Sequence, residues 1–153
     1  MKSRKWALLA LMAIAACLLL GGLYDYVAAS RIKFEVAASP GRLPADGQTL
    51  AKLRVRVLDG AGKPRIGDRI YCLVSYGNLR ATRVLTDKNG YAVFEYIPIR
   101  ATDIMKAKND RITFYDESIS KVIQIPPRTE YELAITTPAK SGKKALTSDD
   151  LFN

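Results

Sequence analysis

After residue 30 the dominant pattern is a strict alternation of apolar and polar residues. Between residues 49 and 58, for example, Leu53, Val55 and Val57 alternate with basic side chains. Because successive side chains of a β-strand point to opposite faces, this period predicts a strand with one buried face. The same pattern predicts further strands near residues 32–36, 69–75, 79–86, 91–97, 111–115 and 118–125.

Turn sequences rich in Asp and Gly separate these segments. The residues that define them are Asp46, Gly47, Asp59, Gly60, Asp87, Asn89 and Gly90. Asp favours the first position of a turn, and Gly adopts the left-handed conformation that reverses the chain. Alternation on both sides of residues 87–90 predicts a β-hairpin joining 83–86 to 91–96. None of these turns has EF-hand spacing, so we interpret them as structural turns without calcium.

Strands at this spacing predict two packed antiparallel sheets, that is, an all-β sandwich over residues 31–127. A last hairpin is expected between 111–115 and 118–125, with Pro126 and Pro127 ending the domain. The inward positions predict a core that contains Val55, Val57, Ile70, Cys72, Val74 and Phe94. Cys72 alternates with apolar neighbours, which indicates a buried free thiol.

An uncharged apolar run covers residues 6–23, ahead of the sandwich. Eighteen helical residues span roughly 27 Å, close to the thickness of bilayer hydrocarbon. Residues 1–5 are basic, which predicts a cytoplasmic N-terminus followed by a transmembrane signal-anchor helix over residues 6–27. The expected anchor residues are Trp6, Leu11, Leu18, Leu23, Tyr24 and Tyr26, with the aromatic ones at the interfaces.

Two other fates of this segment stay open. Residues 27–29 before Ser30 resemble a signal-peptidase site, so the chain could be cleaved after Ala29. Residues 14–17 resemble a lipobox, which would make Cys17 a lipidated cysteine. All three alternatives place the sandwich outside the cytoplasm.

The amino-acid composition excludes several kinds of catalytic and metal-binding site. The chain has 153 residues, two cysteines and no histidine. These counts exclude a Ser-His-Asp or Cys-His nucleophile and a histidine-based zinc site. We therefore expect no enzyme activity, no metal and no cofactor.

The net charge is +9, and most of it lies on the predicted sandwich. Such a surface is either a solvated strand face or a surface that favours anionic lipid or an anionic wall polymer. The sequence shows neither a recognition helix nor an aromatic-basic RNA motif, so nucleic acid is not an expected partner.

Residues 128–153 follow the double proline. Tyr131, Leu133 and Ile135 alternate and predict one extra strand, after which a polar linker runs to residue 144. Leu146, Leu151 and Phe152 are candidate docking residues, because they offer an apolar contact beside acidic side chains. The alternative interpretation is a frayed terminus.

Three segments together resemble a known family. Residues 43–48 (Leu-Pro-Ala-Asp-Gly-Gln), 57–64 (Val-Leu-Asp-Gly-Ala-Gly-Lys-Pro) and 86–92 (Thr-Asp-Lys-Asn-Gly-Tyr-Ala) look like the bacterial immunoglobulin-like domain of the invasin and intimin type. The resemblance covers about residues 31–125. It implies an Ig-like sandwich of a surface-exposed bacterial protein, often a spacer or an adhesive module.

The chain carries one such domain and no internal repeat. A single module beside the membrane cannot hold a binding site far from the membrane surface. This favours the interpretation as a small subunit of an envelope assembly over that as a spacer. The sequence thus predicts a non-enzymatic, single-pass protein of the bacterial cell membrane that binds protein partners. Two alternatives are a surface adhesin or carbohydrate-binding module, with Tyr71, Tyr76 or Tyr91 as contacts, and a pilus-like filament subunit.

Overall fold

The structure is a computed structural model that describes residues 2–119 and 126–137. These residues form one helix and nine strands. The elements are α1 (Lys2–Ser30), β1 (Lys33–Ser39), β2 (Arg42–Pro44), β3 (Ala51–Leu58), β4 (Arg69–Val74), β5 (Asn78–Leu79), β6 (Arg83–Leu85), β7 (Tyr91–Ile97), β8 (Asp110–Asp116) and β9 (Arg128–Thr136).

The strands form two sheets with the orders β1-β3-β7-β5 and β2-β9-β8-β4-β6. All neighbouring strands are antiparallel except β2 and β9, which are parallel. The first sheet has the A-B-E-D order of an immunoglobulin sandwich, and β9-β8-β4 has the G-F-C order of its partner sheet. The predicted all-β, Ig-like sandwich behind one apolar helix is therefore confirmed.

The core lies between the two sheets. Val55, Val57, Ile70 and Cys72 are fully buried there, and Val74 is half-buried. The buried ring of Phe94 packs against that of Phe114 across the sandwich, with centroids 5.7 Å apart. Burial raises the pKa of the Cys72 thiol to about 12, so this cysteine is an apolar core residue and not a nucleophile.

The predicted hairpin around residues 87–90 is wrong. The turn itself closes, because Asp87 donates its N–H to Tyr91 O at 2.8 Å. One residue earlier, however, Thr86 donates its N–H to Asp68 O, which draws β6 toward β4 in the other sheet. The turn therefore joins the two sheets and does not connect paired strands.

The predicted strand over residues 79–86 is also two short strands in different sheets. β5 pairs with β7, whereas β6 pairs with β4. The chain crosses from one sheet to the other between them, so its apolar residues do not share one face.

The predicted closing hairpin is likewise not formed as expected. β8 is paired on one side with β4 and on the other with β9, so neither edge is open to residues 118–125. Of that segment, residues 120–125 lie outside the described part of the chain. The expected extra strand is β9, which lies inside the sheet although it follows the predicted end of the sandwich at residue 127.

α1 is long and apolar enough to cross a membrane. Within its stretch Lys5–Ser30, an 18-residue window has a mean hydropathy of 2.4. The predicted anchor side chains, from Trp6 to Tyr26, are exposed on it. The helix continues into β1 through Arg31 and Ile32, whose N–H groups still bond to Ala28 O and Ala29 O. The end of the sandwich that contains these residues is called the proximal end here, and the opposite end the distal end.

Candidate interaction surfaces

The outer edge of β1 is the longest open strand edge in the described part of the chain. β1 has seven residues and pairs with β3 alone, whereas the other edge strands, β2, β5 and β6, have two or three residues. Long open edges offer unpaired backbone groups to another strand. β1 is therefore a candidate site for strand addition.

The pairing register shows which backbone groups face outward. Val57 donates its N–H to Gly90 O at 2.9 Å, so its backbone bonds point away from β1. Phe34 lies opposite Val57 and is therefore at a non-hydrogen-bonded position of the antiparallel pair. By alternation, the N–H and C=O groups of Phe34, Val36 and Ala38 point to the open edge. Their side chains are half-buried and pack against the core.

A second candidate site is an apolar pocket at the distal end. Its volume is about 210 Å³, and its walls are lined by Ala45, Tyr76, Tyr96, Ile99, Arg100, Ala101, Met105, Lys106, Ala107, Lys108 and Ile135. Beside it, Ile104 is 98% exposed and Met105 is 53% exposed. Apolar side chains this exposed at a pocket mouth are typical of a contact surface.

The loop of residues 98–109 forms one wall of the distal pocket and is held by hydrogen bonds near both of its ends. At its beginning, Ala101 donates its N–H to Ala45 O at 2.8 Å. At its end, Asn109 accepts the N–H of Ile135 at 3.2 Å and donates to Glu132 at 2.9 Å. Between these points, a turn in which Met105 donates to Thr102 Oγ1 places Ile104 at the tip.

The opposite wall depends on a buried carboxylate. Asp110 accepts the N–H groups of Ser75, Tyr76 and Gly77 at 2.7–3.1 Å, and the hydroxyl of Tyr96 at 2.7 Å. The Tyr96 ring lies directly on Gly77, where a Cβ would come within 2.2 Å of it. Burial and the bond to Asp110 raise the pKa of Tyr96 above its usual range, so the hydroxyl stays a donor. The sequence offered no signal for this network, since Asp110 stands in a stretch with no clear period.

The exposed face of β3 is basic, as the alternation indicates. Arg54 and Arg56 lie 4.7 and 5.3 Å from the ring centroid of Tyr91, and Arg56 also approaches Glu35 at 3.5 Å. On the other sheet, Arg83 lies 4.7 Å from the Tyr71 ring. A sugar ring stacks on an open aromatic face, and these faces carry guanidinium groups instead.

Tyr76, the third tyrosine named above, is 51% exposed at the distal pocket, with Lys108 Nζ 5.9 Å from its ring centroid. The three tyrosines therefore lie apart from one another and do not form one platform. This arrangement does not support the carbohydrate-binding alternative.

A buried acidic pair lies toward the proximal end. Asp116 is fully buried and Asp68 nearly so, and Arg65 forms an ion pair with Asp68. Arg65 Nε lies 3.9 Å from Asp116 Oδ2, and Asp116 Oδ1 accepts the N–H of Ser118 at 2.8 Å. Burial raises the pKa of Asp116 to about 6, opposed by the Ser118 bond and reinforced by the nearby charge of Asp68. No group of three or more Cys, Asp or Glu that could hold a metal ion occurs among the described residues.

The structure places the predicted turn residues in turns. Asp46, Asp59 and Asp87 each accept backbone N–H groups of following residues, and hydrogen bonds lower the pKa of Asp46 and Asp87. Left-handed backbone occurs at Gly47 and Gly90. In the turn after Asp59 it falls on Gly62 and not on Gly60. The candidate docking residues Leu146, Leu151 and Phe152 lie outside the described residues.

Comparison with known proteins adds to this description. No protein-family model matches the sequence, and no curated protein matches it. Among solved structures, the chain is similar to the D00-D0 domain of intimin, with 12% identity and a TM-score of 0.49. It is also similar to the D0-D1 domain of intimin, with 22% identity and a TM-score of 0.47.

A third similar structure is a C-terminal 282-residue fragment of intimin in complex with the intimin-binding domain of the translocated intimin receptor. It has 21% identity and a TM-score of 0.48. The three matches cover 65%, 65% and 69% of this chain, but 46%, 46% and 33% of those fragments. The chain thus spans less than half of the intimin fragments that it matches. These three similar structures are all of intimin, and the sequence motifs resemble the bacterial Ig-like domain of the invasin and intimin type.

Proposed function

We propose that this chain is a non-enzymatic, single-pass membrane protein that presents its Ig-like sandwich outside the cytoplasm as an interaction subunit of a bacterial envelope complex. One observation carries the proposal. An exposed apolar helix, long enough to span a bilayer, runs into β1 with only Arg31 and Ile32 between them. The sandwich is therefore held close to the membrane, with its open strand edge beginning at the membrane surface.

Charge supports the orientation. Lys2, Arg4 and Lys5 precede the apolar run, and basic residues at one end of a span favour the cytoplasmic side. The sandwich then lies on the opposite side. Aromatic residues at both ends of the run, Trp6 and Tyr24, fit the two interfaces.

The partner is bound in this proposal by strand addition to β1. Three outward N–H groups and three outward C=O groups are available at Phe34, Val36 and Ala38. Main-chain bonds of this kind supply affinity, and flanking side chains supply selectivity. Lys33 and Glu35 are exposed beside the edge and are suited to that second role. The basic face of β3 favours an anionic neighbour, such as anionic lipid or a wall polymer.

A photo-crosslinking amino acid at position 35, in native membranes, tests this function. We expect crosslinks from Glu35 to a defined membrane or envelope protein, identified by mass spectrometry. The same crosslinker at Leu85, exposed on the far edge strand β6, is the matched control and should not give this product. If position 35 yields no specific protein, the proposed assembly role is refuted.

The strand-addition mechanism has its own test in two proline variants. The N–H of Val36 points outward, so Val36→Pro removes a group needed by the partner but no bond within the sheet. The N–H of Ala37 points to β3, so Ala37→Pro breaks the ladder. We expect Val36→Pro to lose the crosslink at nearly unchanged melting temperature and Ala37→Pro to unfold at lower temperature. A retained crosslink in Val36→Pro would exclude the edge as the binding site.

A further inference from the structure

We propose that the distal pocket binds the chain's own C-terminal segment, residues 145–153, with Leu151 and Phe152 entering the pocket. This inference is independent of the proposed envelope role, because it concerns a contact within one chain.

The size of the pocket indicates the kind of occupant. Its volume of about 210 Å³ is smaller than the roughly 300–1,000 Å³ of pockets that hold small-molecule ligands. Its walls are mostly apolar, formed by side chains such as Ile99, Met105 and Ile135. A space of this size and character suits one or two large apolar side chains that anchor a peptide.

The path of the chain brings the C-terminal segment to this place. Ile135 lines the pocket and β9 ends one residue later, at Thr136, whose O accepts the N–H of Ala45. The chain therefore leaves the sheet at Thr136, beside the pocket mouth. Leu151 is fifteen positions after Thr136, and an extended chain of this length spans up to about 50 Å, so the segment is long enough to reach the pocket. Tethering also gives it a high effective concentration there.

Charge complementarity selects this segment over other parts of the chain. The pocket mouth carries Arg100, Lys106 and Lys108, against one acid on the same loop, Asp103. In the C-terminal segment, Asp149 and Asp150 directly precede Leu151 and Phe152. An apolar pair next to two acids matches an apolar pocket with a basic mouth.

Met105 provides a direct reporter, because its side chain lines the pocket and Met12 lies far away in α1. The full chain is labelled with ¹³C-methyl methionine in detergent micelles, and its NMR spectrum is compared with that of a chain truncated after residue 144. We expect the Met105 methyl resonance to shift on truncation while that of Met12 does not. Phe152→Ala should reproduce the shift, and Lys144→Ala, on the same segment, should leave the full-chain spectrum unchanged.

Two results would overturn the proposal. One is a Met105 resonance at the same position in the full and truncated chains, or in the full chain and Phe152→Ala. The other comes from mixing the labelled truncated chain with an equal amount of unlabelled full chain. If the full-chain position of Met105 returns in that mixture, the occupant is a segment from a second copy.

Discussion

Gly90 offers the sharpest test of the turn between the two sheets. Its φ is +79°, in the left-handed region, where a residue with a Cβ costs about 1–2 kcal/mol. Space is also lacking, because a Cβ at Gly90 would lie 2.8 Å from Val57 O and 3.1 Å from Pro64 Cβ. Relieving such a contact costs typically about 1–3 kcal/mol more. Gly90→Ala should therefore destabilise the sandwich by about 2–5 kcal/mol.

Gly62 is the matched control. Its φ is +80°, nearly that of Gly90, but a Cβ there would meet nothing within 4 Å. Gly62→Ala thus carries the conformational cost alone. At about 4–8 °C per kcal/mol for a domain of this size, Gly90→Ala should melt at least about 4 °C below Gly62→Ala. Thermal unfolding of both variants in detergent, followed by circular dichroism, measures the difference.

One result of this comparison between Gly90→Ala and Gly62→Ala would contradict the prediction. Equal melting temperatures for the two variants would show that Val57 O does not approach Gly90 closely. Since Val57 N also bonds to Gly90 O at 2.9 Å, such a result would contradict the contact between this turn and β3.

Three further predictions follow from the core, the acidic pair and the helix. Phe94→Ala should cost about 3–5 kcal/mol and Lys52→Ala little, in urea unfolding; equal costs would mean that the two faces of the sheet are exchanged. The pKa of Asp116 is raised to about 6 in the folded chain, so the folded state binds more protons than the unfolded state between pH 4 and 6. The free energy of unfolding should therefore fall as the pH rises through this range, by on the order of 2–3 kcal/mol. Asp116→Asn should remove this fall, and an unchanged pH profile in the variant would exclude Asp116 as its source. Protease added outside intact protoplasts should digest the sandwich and leave a short membrane fragment, whereas a protected sandwich would contradict the proposed orientation.

The alternation of the sequence predicts strands well but does not determine their partners. Around Asp87 the local signals for a hairpin are all present, and the turn does form. Whether the flanking strands pair is decided elsewhere, by the bond from Thr86 N to Asp68 O, eighteen residues away in the chain. Such distant contacts have no local signature. For the same reason the strand pairing of β8 with β9, which skips residues 117–127, could not be predicted from adjacent turn signals.

The candidate surfaces also differ in how far local sequence patterns predict them. The basic face of β3 follows directly from the alternation of Lys52, Arg54 and Arg56 with apolar residues. The distal pocket does not, because it combines a loop without a regular period, residues 98–109, with the end of β9. Asp110, which fixes one wall, accepts hydrogen bonds from residues 75–77 and from the hydroxyl of Tyr96, whereas the turn-forming aspartates accept from the residues that follow them. Partners so distant in the sequence leave no local pattern.

An open strand edge invites pairing between identical copies, and the proposed anchoring opposes this. In the proposed arrangement, α1 of every copy crosses the membrane in the same direction, so β1 of every copy runs away from the membrane. Edge-to-edge pairing of two anchored copies would therefore be parallel, which is the slightly less stable arrangement per residue. Antiparallel pairing requires a strand that runs toward the membrane, which β1 of another copy in the same membrane cannot supply. The edge strands of such a copy that do run toward the membrane, β5 and β6, have only two and three residues. The anchor thus leaves the edge at Phe34, Val36 and Ala38 open to a different protein, whose strand we expect to be antiparallel to β1.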